Sequence, residues 1–136
     1  VTGSRWDDAE SVTTKQIINL KVSFFKTKEN RNRTVPISKE FNDVLPKPET
    51  LGRYLKSCYS AFHKVVERAE LNLPDSQLSH VLRYTFANHF MMNGGSILVL
   101  KDILGHTDIK MTISYSHFSP EHLEESTKLN PLRKLF

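Results

Sequence analysis

Four side chains in the C-terminal two-thirds of the chain have types and spacing suited to chemistry on a phosphodiester. His80 and Arg83 lie three apart in a stretch of helical periodicity, so both project from one helix face and can meet the same anion. His106 follows His80 by 26 residues, directly after Leu104 and Gly105, and Tyr115 lies nine residues past His106. Cleaving a phosphodiester with a side chain requires a nucleophile, cations for the charge growing on the nonbridging oxygens, and a proton donor for the leaving oxygen. An arginine fork binds two oxygens at once. A phenol of pKa about 10 is both a nucleophile and a tolerable leaving group, which makes a covalent step reversible. Taken singly, His80 reads as a polar residue near a helix start and Arg83 as a solvated cation; only the set as a whole points to chemistry.

The remaining tyrosines and histidines have plainer readings. Tyr54 and Tyr59 fall in a packing helix and Tyr84 on a partly buried turn after Arg83, so none competes with Tyr115. His63, His80, His89, His106, His117 and His122 include no cysteine pair or short ligand motif, and no metal or other cofactor is expected. His117 is placed to orient the nucleophile, and His89 and His122 read as ordinary polar residues.

The elements that must carry these residues are mostly helical. A first short helix is predicted over 7–17, with Asp7, Asp8 and Glu10 in its first turns and Arg5 just ahead of it. Strands over 20–27 and 33–38 flank a polar segment and form a hairpin with a basic tip. Ser38 caps a short helix through Leu45, before Pro46 and Pro48. A longer helix follows over 51–69, where Leu51, Leu55, Cys58, Tyr59, Phe62, Val65, Val66 and Ala69 make one buried stripe.

After a turn over 72–77, Ser79 caps a helix with Val81, Leu82, Phe86 and Phe90 inward, ending at Gly94 and Gly95. Ser96 opens another, closed by Gly105 in the left-handed conformation. Short helices over 107–114 and from Ser119-Pro120-Glu121 bracket Tyr115. The fold class is α+β, mainly helical with a small antiparallel sheet.

Length and composition bound the rest. The 136 residues suit one domain with one core, and 38% hydrophobic residues with eight Phe argue against disorder. A net charge of +4 tilts the partner question toward polyanions without deciding it. The lone Cys58 excludes an internal disulfide and reads as packing. No apolar run is long enough to span a bilayer and no secretory signal opens the chain, so a cytoplasmic location without membrane contact is expected.

The run Ser79-His80-Val81-Leu82-Arg83-Tyr84-Thr85-Phe86-Ala87 resembles the central box of tyrosine recombinases of the phage integrase family. Leu104-Gly105-His106 with Tyr115-Ser116-His117 resembles their second box, and Thr2-Gly3-Ser4-Arg5-Trp6, with Asp8 three past the arginine, their first. The texture is similar to integrases of P2-like temperate phages. The resemblance implies the DNA breaking-rejoining fold and site-specific recombination, integration and excision, through a 3′-phosphotyrosyl intermediate.

The same resemblance implies the roles. Tyr115 attacks, Arg5 and Arg83 clamp the phosphate, and His80 and His106 add hydrogen bonds or move protons. Lys28, eight residues before Pro36, matches the hairpin lysine that protonates the leaving 5′ oxygen, with Lys26 as the competing position. Lys26, Arg31 and Arg33 on the same hairpin read as DNA-backbone contacts. Double-stranded DNA bearing attachment sites is the implied partner, in a bacterial host and near its nucleoid, with accessory DNA-bending proteins.

Because the first box begins at Thr2, the chain reads as one catalytic domain, 1–136, a fragment lacking the family's N-terminal DNA-binding domain. The tail ending in Leu135 and Phe136 is expected to dock on a neighbouring protomer and support dimers or tetramers on DNA. The competing readings are a noncatalytic DNA-binding fragment and a type IB topoisomerase that relaxes supercoils by the same chemistry.

Overall fold

The computed structural model describes residues 2–25, 31–46, 52–73 and 77–119. Its elements run α1 (Trp6–Glu10), β1 (Ile17–Ile18), β2 (Lys21–Phe24), β3 (Arg33–Pro36), α2 (Lys39–Val44), α3 (Tyr59–Arg68), α4 (Leu78–Met92), α5 (Ile97–Leu104) and α6 (Lys110–Ile113). Single 3₁₀ turns occupy Thr14–Gln16 and Ser116–Phe118. The α+β class expected from the sequence is observed.

The sheet is antiparallel in the order β1-β2-β3, with Val22 opposite Val35 and Phe24 opposite Arg33. Alternation along β2 and β3 buries Val22, Phe24 and Val35 on one face, where Val12 and Ile37 complete a core. The strand β1 was not anticipated; Asn19 and Leu20, both at positive φ, turn the chain tightly from it into β2. Ser38 accepts a hydrogen bond from the Phe41 amide and caps α2 as expected.

A second core lies between α4, α5 and the segment after α6: Ala87, Met91, Leu100, Leu104 and Tyr115. Leu100 and Leu104 are fully buried, each contributing roughly 1.5–3 kcal/mol. Tyr115 is thus packed into the core by the same residues that close α5.

Several expectations need correction. The first helix stops at Glu10 instead of Ile17, because the β-branched run Val12-Thr13-Thr14 leaves helical geometry to pair with 52–54: Tyr54 N–H donates to Val12 O (3.1 Å) and Thr14 N–H to Gly52 O (3.0 Å). That pairing holds 52–54 outside helical geometry, so α3 begins only at Tyr59, and the Cys58 amide donates to the Glu10 carboxylate at 2.8 Å.

The stripe expected along α3 is not buried. Val66 alone is, Phe62 is half-buried against Trp6 (ring centroids 4.8 Å), and Tyr59, Val65 and Ala69 are exposed. Lastly, α4 begins at Leu78 with Gln77, not Ser79, at its N-cap, and turns inward on Leu78, Arg83, Ala87 and Met91, leaving Leu82 exposed. Arg83 faces inward beside the exposed Leu82 that the periodicity points to the core.

Candidate active site

Arg83 organises the centre of the molecule. Its side chain is buried, and Nη1 donates to Gly3 O at 2.9 Å while Nη2 donates to Leu104 O at 2.7 Å. Nη2 also lies 3.0 Å from His106 Nε2. One guanidinium therefore ties α4 to the turn bearing Arg5 and to the end of α5. Buried carbonyls need donors, and a planar fork reaches three acceptors that a flexible ammonium could not.

Two glycines make this approach possible. Gly3 has φ +59, and a Cβ there would stand 2.5 Å from the Phe86 ring. Gly105, at φ +72, closes α5 in the left-handed conformation expected for it and turns His106 back toward Arg83. His106 is buried, with Nδ1 2.9 Å from the hydroxyl of Thr112 on α6.

Arg5 lies at the N-cap of α1 and shares with Arg83 a cleft of about 190 Å³ that Gly3, Ser4 and Ser79 also line. A wider cleft of about 470 Å³ continues past Arg5 to His80, Trp6, Glu10, Ser57 and Tyr59. His80 is exposed at the start of α4, and its ring faces Tyr84 at 6.4 Å. Tyr84 in turn stands 6.1 Å from Tyr115. Five of the residues singled out from the sequence thus converge from four separate segments.

Tyr115 follows α6, its amide bonded to Thr112 O at 3.0 Å, and is only 7% exposed. Burial holds its phenol above the ordinary pKa, the adjacent Tyr84 pushes it further up, and the Arg83 guanidinium pulls it down. A phenol so placed remains protonated at neutral pH, and Arg83 is the cation that favours its oxyanion.

The hairpin residues are placed less uniformly. Lys26 and Lys28 lie outside the described residues. Arg31 is exposed and lines, with Asn32, Thr34 and Asp102, an open cleft of about 620 Å³. Arg33, expected on the hairpin as a DNA-backbone contact, turns inward instead: Nη2 pairs with Asp8 at 3.1 Å, their side chains 6% and 12% exposed. The guanidinium lies over the Phe24 ring at 4.6 Å and under Gly105, whose added Cβ would meet it at 2.8 Å.

Arg33 therefore docks β3 onto α1 and the His106 turn. Asp8→Asn would remove a buried carboxylate from a buried arginine, and is expected to lower the unfolding free energy by about 3 kcal/mol in denaturant titration. An unchanged midpoint would mean the pair is solvated.

The sequence reading assigned no role to Gly3 and passed over Thr112. Gly3 serves through its carbonyl, which no side-chain pattern reveals. Thr112 carried one available signal, a hydroxyl three residues before the nucleophile candidate on the predicted helix over 107–114.

The model of the phage integrase family matches residues 53–122 of the chain. The chain belongs to the phage integrase family. The integrase of Escherichia phage 186 is 56% identical over 131 residues, covering 96% of this chain and 39% of its own length. The integrase of Escherichia phage P2 is 42% identical over 132 residues, covering 97% of this chain and 39% of its own length. The catalytic domain of bacteriophage HP1 integrase superposes with a TM-score of 0.90 at 55% identity, covering 97% of this chain and 77% of that structure. The chain thus spans well under half the length of the curated phage integrases it matches. The match to integrases of P2-like phages agrees with the texture of its motifs, and the fold is that of a tyrosine recombinase catalytic domain. Among the described residues no helix is long and apolar enough to cross a membrane.

Proposed function

We propose that this chain is the catalytic unit of a site-specific DNA recombinase that integrates and excises a phage genome through a 3′-phosphotyrosyl intermediate. The observation that carries the reading is the convergence of Arg5, Arg83, His106 and Tyr115 on one centre, with Arg83 as its hub. Tyr115 Oη bonds to phosphorus as the bond to the 5′ oxygen breaks. Arg5 and Arg83 hold the nonbridging oxygens, where charge grows in the transition state. His80 and His106 supply hydrogen bonds or carry the phenolic proton. Lys28 protonates the departing 5′ oxygen, and a 5′ hydroxyl of another strand reverses the step.

The substrate is double-stranded DNA bearing attachment sites, met in the bacterial cytoplasm. Arg31 and Lys26 are assigned to the DNA backbone. Arg33, paired with Asp8, is assigned to holding the hairpin in place. The domain is proposed to work as one unit of a longer recombinase, in protomers joined through the tail that ends in Leu135 and Phe136, with accessory DNA-bending proteins. The chemistry is assigned to side chains alone.

The test is a nicked duplex carrying an attachment site. Cleavage next to the nick lets a short 5′-hydroxyl strand diffuse away, trapping protein on the 3′ phosphate. A denaturant-resistant 3′-linked adduct that transfers to an added 5′-hydroxyl strand is expected. Binding without any adduct would contradict the catalytic reading, and relaxation of supercoils without strand transfer would contradict recombination.

A further inference from the structure

We infer that Thr112 is a positioning residue that fixes the tautomer of His106 and, through it, the aim of Arg83; this rests on the reading that Arg83 acts on the scissile phosphate. An arginine guanidinium carries only donors. With Nη2 3.0 Å from His106 Nε2, that ring nitrogen must be the acceptor, because an Nε2–H would set donor against donor in a buried site. The ring proton therefore sits on Nδ1. At 2.9 Å from Nδ1, the Thr112 hydroxyl oxygen receives it.

Thr112 is fully buried, so water cannot replace it in this bond. Its place is set by backbone on both sides: its amide donates to Ile109 O at 2.8 Å, and its carbonyl accepts from the Tyr115 amide at 3.0 Å. One residue thus links the nucleophile's backbone to the ring that faces the phosphate clamp. Without the hydroxyl, the Nδ1–H loses this acceptor, and the alternative tautomer turns a donor against Arg83. The other hydrogen on Nη2 is directed at Leu104 O, so a turned guanidinium would also abandon the end of α5.

The test compares Thr112→Val, which keeps the branched shape and removes the hydroxyl, with Thr112→Ser, which keeps the hydroxyl. Selective ¹⁵N-histidine labelling of the full chain, with His106 assigned by difference against His106→Gln, reads which ring nitrogen is protonated. The wild type and Thr112→Ser are expected to show Nδ1–H with bare Nε2, and Thr112→Val to lose that signature. Adduct formation on the nicked duplex is expected to fall roughly ten- to a hundredfold in Thr112→Val, by analogy with metal-ligating histidines that lose the group orienting them, and to be restored in Thr112→Ser.

Nε2–H in the wild type, or an unchanged tautomer in a folded Thr112→Val, would overturn the inference. If no form of the protein makes an adduct, the nitrogen shifts still decide the role of Thr112, separately from the recombinase reading. A Thr112→Val chain that does not fold leaves the wild-type and Thr112→Ser spectra to decide it.

Discussion

Arg83→Lys is expected to lower both folding stability and DNA cleavage, and neither loss should follow from the change of charge, since there is none. The guanidinium serves Gly3 O, Leu104 O and His106 Nε2 from two nitrogens set by a rigid plane. An ammonium presents three donors from a single point and cannot span acceptors on three segments. At least one buried carbonyl loses its donor, which costs about 1–3 kcal/mol for each such group, and a total loss of roughly 2–4 kcal/mol is expected in denaturant unfolding.

The effect on chemistry is larger. Removing one preorganised donor from a developing oxyanion costs on the order of 10²–10³ in rate, and Arg83→Lys also loosens the turn that places Arg5. Single-turnover adduct formation at saturating protein separates this from weaker DNA binding. A lysine variant with wild-type midpoint and rate would remove Arg83 from the centre of the site.

Tyr115→Phe is expected to leave the fold in place while ending the reaction. The ring packs with Ala87, Met91, Leu100 and Leu104, and phenylalanine keeps those contacts, so stability near neutral pH should change by less than about 1 kcal/mol. Adduct formation should fall by a factor on the order of 10⁶, the size of losing a catalytic nucleophile, with DNA binding retained.

The variant also reports the pKa of the group it removes. The folded-state phenol titrates above the unfolded value of about 10, so the unfolded chain releases this proton first as pH rises. Wild-type stability should therefore be intact below that value and decline above it. Unfolding at about pH 8 and about pH 11 should show a steeper loss for the wild type than for Tyr115→Phe. Equal losses would mean that Tyr115 is not held in its neutral form.

The parts of the molecule that were legible in the sequence are those governed by local rules. Ser38, Gly105 and the alternation in the hairpin each declared a cap, a stop or a strand, and each is found there. The site residues were legible through their spacing and family resemblance, and Arg5, His80, Arg83, His106 and Tyr115 gather from distant segments. What misled was tertiary override. Apolar periodicity placed Leu82 inside, whereas a buried, hydrogen-bonded arginine holds the inward position. The cluster of basic residues made Arg33 look like a surface cation, because no local pattern reveals that Asp8, 25 residues earlier, neutralises it. Helix α3 began late because its upstream residues pair with 12–14, a long-range contact that a periodicity window cannot register.

The most direct measurement is to isolate the protein–DNA adduct, digest both partners, and identify the modified peptide by mass spectrometry. The account predicts a nucleotide 3′ phosphate esterified to Tyr115. Attachment to Tyr84, whose ring lies 6.1 Å from that of Tyr115, or to any other residue would contradict it.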